Sequence, residues 1–222
     1  MKTSRKEAAL FLKALKEDGI EEIYALPAKP SPSPGNEKEA LLQLRETVLP
    51  CMLCHELAGT RKSVVFGSGN SSAQLMFIGE APGHDEDLQG LPFVGQAGQL
   101  LTKIIESIGL KREEVFITNT LKCLPPGNRQ PQPDEISHCR PYLLKQIEII
   151  RPKIICALGS FAAQTILETQ TPISQLRGKF YEKNGVKIIC TFHPAYLLRN
   201  PGEKRKVWED MKMIRRELDS QA

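Results

Sequence analysis

The stretch LMFIGEAPGHDED, residues 75–87, decides the fold. Its first part, LMFIG (75–79), is a short apolar run ended by glycine, which is typical of a buried parallel strand. Three more runs of this kind follow along the chain: VFIT (115–118), KIICALG (153–159) and VKIICTF (186–192). The four runs predict a four-stranded parallel sheet.

Segments with helical periodicity alternate with these apolar runs. Residues 96–108 carry apolar side chains at helical spacing, and residues 134–149 begin with an aspartate that can cap a helix. The remaining predicted helices cover 37–48, a segment after the third strand that ends near 167, and 203–218. Alternating strands and helices predict a three-layer α/β/α domain with the sheet in the middle.

The amino-terminal part differs in composition. Residues 2–18 form an amphipathic helical pattern, and residues 27–36, PAKPSPSPGN, are rich in proline and serine, as in a linker. The predicted organisation is a helical extension (1–26), a linker (27–36) and a catalytic domain (37–222). We expect the first helix to be dispensable for chemistry and either to bind a partner protein or to fold back on the core.

Composition indicates a soluble globular protein. Of 222 residues, 41% are hydrophobic and 25% are charged, and no apolar run is long enough to span a membrane. The amino terminus lacks the apolar stretch and cleavage site of a secretory signal, so we expect a cytoplasmic protein. The net charge of +4 only mildly favours nucleic acid as a partner.

Unusual polar residues follow three of the predicted strands. These segments are GEAPGHDED, NTLKC and HPAYLLR. In open α/β sheets, ligands bind beyond the carboxyl ends of the strands. The sequence therefore predicts a site at that edge of the sheet.

The six cysteines divide into two groups. Cys156 and Cys190 lie within apolar strand runs and are expected to be buried core residues. Cys51, Cys54, Cys123 and Cys139 occur in polar or proline-rich segments. Four such thiols predict a metal centre, and their spacing fits zinc as well as an iron–sulfur cluster.

Three motifs resemble the signature regions of family 4 uracil-DNA glycosylases: GEAPGHDEDLQGLPFVGQAGQLL (79–101), ITNTLKC (117–123) and HPAYLLRNP (193–201). The resemblance extends from about residue 45 to the carboxyl terminus. It implies a monomeric hydrolase that starts base excision repair by removing uracil from single- or double-stranded DNA. It also implies a [4Fe–4S] cluster on the four polar-segment cysteines.

The resemblance further assigns roles in a uracil pocket. Phe93 corresponds to the aromatic residue that stacks on the base, and Asn119 to the amide that pairs with the edge of uracil. His193 corresponds to the donor to uracil O2, where negative charge develops as the glycosidic bond breaks. Glu80 and Glu86 match acidic pocket positions that can orient water and stabilise a cationic sugar.

Other positions of the resemblance concern water activation and DNA contact. A sister family has an aspartate where this chain has Ala81, so the substrate pocket offers no side-chain base there. Residues 124–138 lack the basic insert ending in histidine of a covalently trapping sister group, so we expect turnover. Leu197 and Leu198 are candidate wedges into the DNA minor groove, and Arg199 is a candidate phosphate contact.

Two other functions fit parts of the sequence. A non-enzymatic nucleic-acid-binding module with structural zinc accounts for the cysteines and the charge, but leaves Asn119 and His193 unexplained. A small redox protein would need a nucleotide-binding loop of the GxGxxG or Walker type, and the sequence contains neither.

Overall fold

The computed structural model describes residues 35–220. The predicted helix at 2–18, the extension and most of the linker lie outside this range. No helix among the described residues is long and apolar enough to cross a membrane.

The described chain is built on a six-stranded mixed sheet, not the predicted four-stranded parallel one. Its order is β1-β3-β2-β4-β6-β5. The strands are β1 (Ser68–Gly69), β2 (Leu75–Gly79), β3 (Phe116–Asn119), β4 (Ile154–Leu158), β5 (Phe180–Lys183) and β6 (Val186–Thr191). The four predicted strands are β2, β3, β4 and β6, and they pair in parallel.

The two strands missing from the prediction are the edges, and both pair antiparallel. β1 has only two residues, too few for a periodic signal. β5 forms a hairpin with β6 through Asn184 and Gly185, whose φ angles are +52° and +78°. An Asn-Gly pair with two positive φ angles is the preferred two-residue hairpin turn. The sequence therefore did contain a signal for this edge strand.

The helices cover both faces of the sheet, which confirms the three-layer prediction. They are α1 (Glu37–Val48), α2 (His55–Thr60), α3 (His84–Gln89), α4 (Gln96–Ser107), α5 (Pro133–Ile150), α6 (Gly159–Leu167), α7 (Ile173–Leu176), α8 (Pro194–Arg199) and α9 (Lys204–Asp219). Apolar side chains of α1, α5 and α6 pack in one core, and those of α4, α8 and α9 pack in the other.

Alternation along the central strands divides their side chains between these two cores. Met76 and Ile78 of β2 face the first core, while Leu75 and Phe77 face the second. All five residues of β2 are buried. Two covered faces explain why the central strands appear as continuous apolar runs. The arrangement leaves the carboxyl ends of the strands as the place where polar groups can gather.

Candidate active site

A cavity of about 390 Å³ opens beyond the carboxyl ends of the strands. This volume suits a small ligand. The cavity brings together seven of the residues predicted from sequence: Glu80, Ala81, Glu86, Phe93, Asn119, His193 and Arg199. The predicted convergence of the loops after β2, β3 and β6 is therefore what the structure shows.

Asn119 ends β3 opposite Gly79, its partner across the parallel pair. Its side chain is 1% exposed, and Oδ1 is buried without a hydrogen-bond partner. Gly79 is required for this approach, since a Cβ there would lie 2.3 Å from Asn119 Oδ1 and 2.5 Å from Phe93 Cζ. A buried unpaired acceptor is costly unless a ligand supplies the donor.

Phe93 lies against the same cavity in a left-handed backbone conformation, with φ +52°. Arg112 holds its loop by donating from Nη2 to the carbonyl oxygen of Pro92 at 2.5 Å. On the other side, α4 approaches so closely that a Cβ on Gly98 would lie 1.9 Å from Phe93 O. A strained aromatic residue fixed from two sides indicates a position set for ligand contact.

The carboxylate of Glu86 orders the loop that carries Phe93. Its carboxylate accepts from the backbone N–H groups of Gly83, Val94 and Gly95 at 3.2, 2.8 and 3.0 Å. The side chain is 9% exposed. Although Glu86 lines the cavity, its oxygens are occupied by the main chain, so it holds the walls of the site in place.

Glu80, the other predicted carboxylate that lines the cavity, has a different environment from that of Glu86. Burial raises the pKa of Glu80 above its ordinary value of 4.5. No hydrogen bond to its carboxylate is found within residues 35–220. A half-buried carboxylate with a raised pKa at the wall of a cleft is a candidate general base.

His193 precedes α8 and caps it, since Nδ1 accepts from the backbone N–H of Ala195 at 3.2 Å. This bond places the ring proton on Nε2. Burial lowers the pKa of His193 to about 4, and the charge of Arg199 adds to the shift. The ring centroids of His193 and Phe93 are 5.5 Å apart. His193 is thus a neutral hydrogen-bond donor next to the aromatic wall.

The two leucine candidates of α8 are separated by the structure. Leu197 is 0% exposed and packs in the second core. Leu198 is 43% exposed and remains available at the surface. Helical spacing points consecutive side chains in different directions, so only Leu198 can serve as a wedge.

The thiols of the other three polar-segment cysteines act electrostatically on the thiol of Cys54. Burial raises the pKa of the Cys54 thiol to about 12, and the thiols of Cys139, Cys123 and Cys51 add to the shift. Arg61 Nη1 donates to Cys123 Sγ at 3.2 Å, and the backbone N–H of Lys122 donates to Cys139 Sγ at 3.4 Å.

The geometry and surroundings of these thiols bear on the group they could hold. Within residues 35–220, no three His, Cys, Asp or Glu side chains are arranged to hold a single metal ion. Hydrogen bonds from protein N–H groups to sulfur suit the anionic sulfurs of a cluster. Four thiols with such donors suit a metal or iron–sulfur centre. Cys156 and Cys190 are 0% exposed in their strands, as expected.

Comparison with known proteins agrees with this geometry. The family model described as the Uracil DNA glycosylase superfamily matches residues 66–212. The chain is 46% identical to the type-4 uracil-DNA glycosylase of Archaeoglobus fulgidus, covering 79% of this chain and 92% of the relative. It belongs to the type-4 uracil-DNA glycosylases.

Similarity to two further type-4 uracil-DNA glycosylases has the same extent. The protein of Saccharolobus solfataricus is 47% identical over 80% of this chain and 86% of the relative. The protein of Thermotoga maritima is 44% identical over 78% of this chain and 93% of the relative. The family resemblance that the three motifs indicated is confirmed over most of the chain.

Two arginines of this uracil-DNA glycosylase site were missed from sequence. Arg112 lies in a short turn outside the recognised motifs, and only the structure places it against Pro92. Arg129 lines the cavity and donates to Glu135 and Glu56, each at 2.6 Å. It lies in segment 124–138, whose sequence was informative only for the basic insert that it lacks.

Proposed function

We propose that this type-4 uracil-DNA glycosylase hydrolyses the bond between uracil and deoxyribose in DNA, using the cavity described above as its uracil pocket. The observation that carries this proposal is the buried, unpaired Oδ1 of Asn119. Uracil presents an N3–H donor for this acceptor and an O4 acceptor for the amide Nδ2. Cytosine presents the opposite pattern, so the same amide discriminates between the two bases.

Each remaining group has a place in the reaction. A base flipped from the stack enters the pocket and stacks on Phe93. The Nε2–H of His193 donates to uracil O2 and stabilises the negative charge that develops there. Glu80 accepts a proton from the attacking water and stabilises the positive charge on the sugar. This role falls to Glu80 because position 81 is alanine and the oxygens of Glu86 are bound by backbone N–H groups.

The test of this function is uracil excision by wild type and by Asn119→Asp. The wild type releases uracil from a uracil-containing strand. In the variant, a carboxylate oxygen replaces the donor to O4, and an unpaired polar edge costs about 1–3 kcal/mol. Uracil excision should fall about ten- to hundredfold, and excision of cytosine should rise relative to uracil.

A matched control separates recognition from added charge. Asn70→Asp makes the same change at an exposed turn, where Oδ1 accepts from Ser72 N at 2.9 Å, a bond that a carboxylate preserves. It should excise uracil at the wild-type rate. An Asn119→Asp enzyme as fast as the control would show that Asn119 does not read the base.

We also propose that Cys51, Cys54, Cys123 and Cys139 ligate a [4Fe–4S] cluster. When bound, the cluster would join the segment before α2 to Cys123 after β3 and to Cys139 on α5, a structural role. Support comes from the interacting thiols, the N–H donors to their sulfurs and the family resemblance. The alternative of a non-enzymatic zinc module is less favourable, because it gives Asn119 and His193 no role.

Metal analysis tests the cluster. Anaerobically purified protein should be brown and contain about four iron atoms per chain. Cys139→Ser should lose much of this iron, whereas Cys156→Ser, a matched change of a buried strand cysteine, should retain it. Stoichiometric zinc with almost no iron in the wild type would contradict the cluster.

DNA contact is proposed on the surface around the cavity mouth. Leu198 is exposed next to Arg199, which lines the cavity, so a wedge and a phosphate contact lie side by side on α8. The monomeric state and the cytoplasmic location stay predictions from the sequence. The extension at 1–26 stays a predicted site for a protein partner.

A further inference from the structure

The side chain of Lys122 is buried beneath the end of β3. It is 1% exposed. Its Nζ donates to Asn119 O at 2.7 Å, Thr118 Oγ1 at 2.6 Å and Gln146 Oε1 at 2.7 Å. These contacts use all three protons of an ammonium group.

The two side-chain partners of Lys122 are themselves anchored. Gln146 Nε2 and Thr118 Oγ1 both donate to the backbone carbonyl of Phe66, at 2.8 and 2.9 Å. None of the three acceptors of Lys122 carries a charge; burial lowers the pKa of Lys122 to about 7, and the thiols of Cys139 and Cys123 oppose that shift. An ammonium group in the interior is costly even when it is hydrogen-bonded, and an apolar side chain would fill the same volume more cheaply. Packing alone does not explain the polar head of Lys122, and its hydrogen bonds offer a reason in addition to the neighbouring thiols.

That reason lies in how Asn119 is held. Its Oδ1 has no protein partner, so no protein bond to that oxygen fixes the carboxamide. The main chain of Asn119 is fixed instead, by Lys122 Nζ at its carbonyl and by the pairing with Gly79 in the sheet. An amide that must meet two atoms of a base depends on that main-chain position, since a displacement of about 1 Å can cost about a hundredfold in rate.

We propose that Lys122 is a positioning residue for base recognition: its three hydrogen bonds hold the main chain of Asn119 so that the carboxamide faces the base. This inference rests on the proposed uracil excision. Lys122 does not touch the base and acts only through Asn119.

A double-mutant cycle tests this route. Lys122→Met removes the three donors while keeping a long unbranched side chain. It should lower single-turnover uracil excision about ten- to hundredfold and retain its iron. In an Asn119→Ala background the same change should cost less than about twofold, because the group it positions is gone. A general weakening of the fold would instead lower the rate by the same factor in both backgrounds, and that result would overturn the proposal.

Two further proteins keep the test decisive. Lys103→Met removes a lysine from the exposed side of α4 and should leave the rate unchanged. If Lys122→Met fails to fold, Thr118→Val removes one acceptor of Lys122 with little change of shape. Its smaller loss must also disappear in the Asn119→Ala background; a loss that persists there contradicts the proposal.

An observation independent of activity separates this inference from the proposed function. In protein labelled with ¹⁵N-asparagine, the side-chain amide signal of Asn119 should shift and broaden in Lys122→Met. An unchanged amide signal would overturn the positioning role even if wild type excises uracil. Wild type without excision would refute the proposed function, while the amide signal would still report whether Lys122 holds Asn119.

Discussion

Replacing Glu80 with glutamine is expected to slow single-turnover uracil excision about a hundredfold or more, the range typical of losing a general base. The pH dependence should change as well. Burial raises the pKa of Glu80 above 4.5, so the carboxylate takes up a proton as the pH falls through that raised value. Wild-type excision should therefore decline on the acid side with a midpoint above 4.5, and Glu80→Gln should lose this decline.

The control for Glu80 is Glu106→Gln, the same change on the exposed side of α4. It should keep both the rate and the acid decline of the wild type. Measuring excision from about pH 4.5 to 8 in all three proteins shows whether Glu80 causes the acid decline. An acid decline of unchanged midpoint in Glu80→Gln would assign it to another group, and Glu80 would no longer be the base.

The second large effect is expected from His193→Ala. Losing a donor to a developing anion typically costs about 10²–10³ in rate. The effect should fall on the chemical step more than on DNA binding, because the bond to O2 strengthens as the base becomes anionic. Since burial lowers the pKa of His193 to about 4, the ring is neutral near pH 7, and titration of His193 should not shape the rate between pH 5 and 8.

His84→Ala is the matched control, since His84 is an exposed histidine at the start of α3. Single-turnover rates and DNA affinities of the two variants should be compared on one uracil-containing strand. We expect wild-type values for His84→Ala. If His193→Ala weakened DNA binding as much as it slowed excision, its role would be binding rather than stabilisation of the leaving base.

Much of the fold was predictable because burial leaves a direct mark on composition. β2, β4 and β6 are apolar runs because both faces of the sheet are covered, and their predicted bounds agree with the structure to within a residue. The edge strands leave weaker marks. β5 is only partly buried along its length, and its pairing is signalled by the turn that follows rather than by its own residues.

The candidate site was also predictable only in part. Asn119 and His193 were found because the family motifs contain them at strand ends. The part played by Glu86 could not be predicted, since its three donors are backbone groups that only the folded loop brings together. Lys122 belongs to a recognised motif, but its burial depends on Gln146, which is distant in sequence.

The two antiparallel edge strands bear on how the enzyme stays dispersed. A sheet that ends in a long, flat, unpaired strand invites another chain to add to it and start an aggregate. Here the edge strand β1 has only two residues, and one of them is a glycine. The other edge strand, β5 (FYEK), places Glu182 and Lys183 beside the hairpin turn. The apolar parallel strands, which would be the most aggregation-prone part of the chain, lie between these two edge strands. The short and charged edge strands therefore disfavour association of two copies through their sheets.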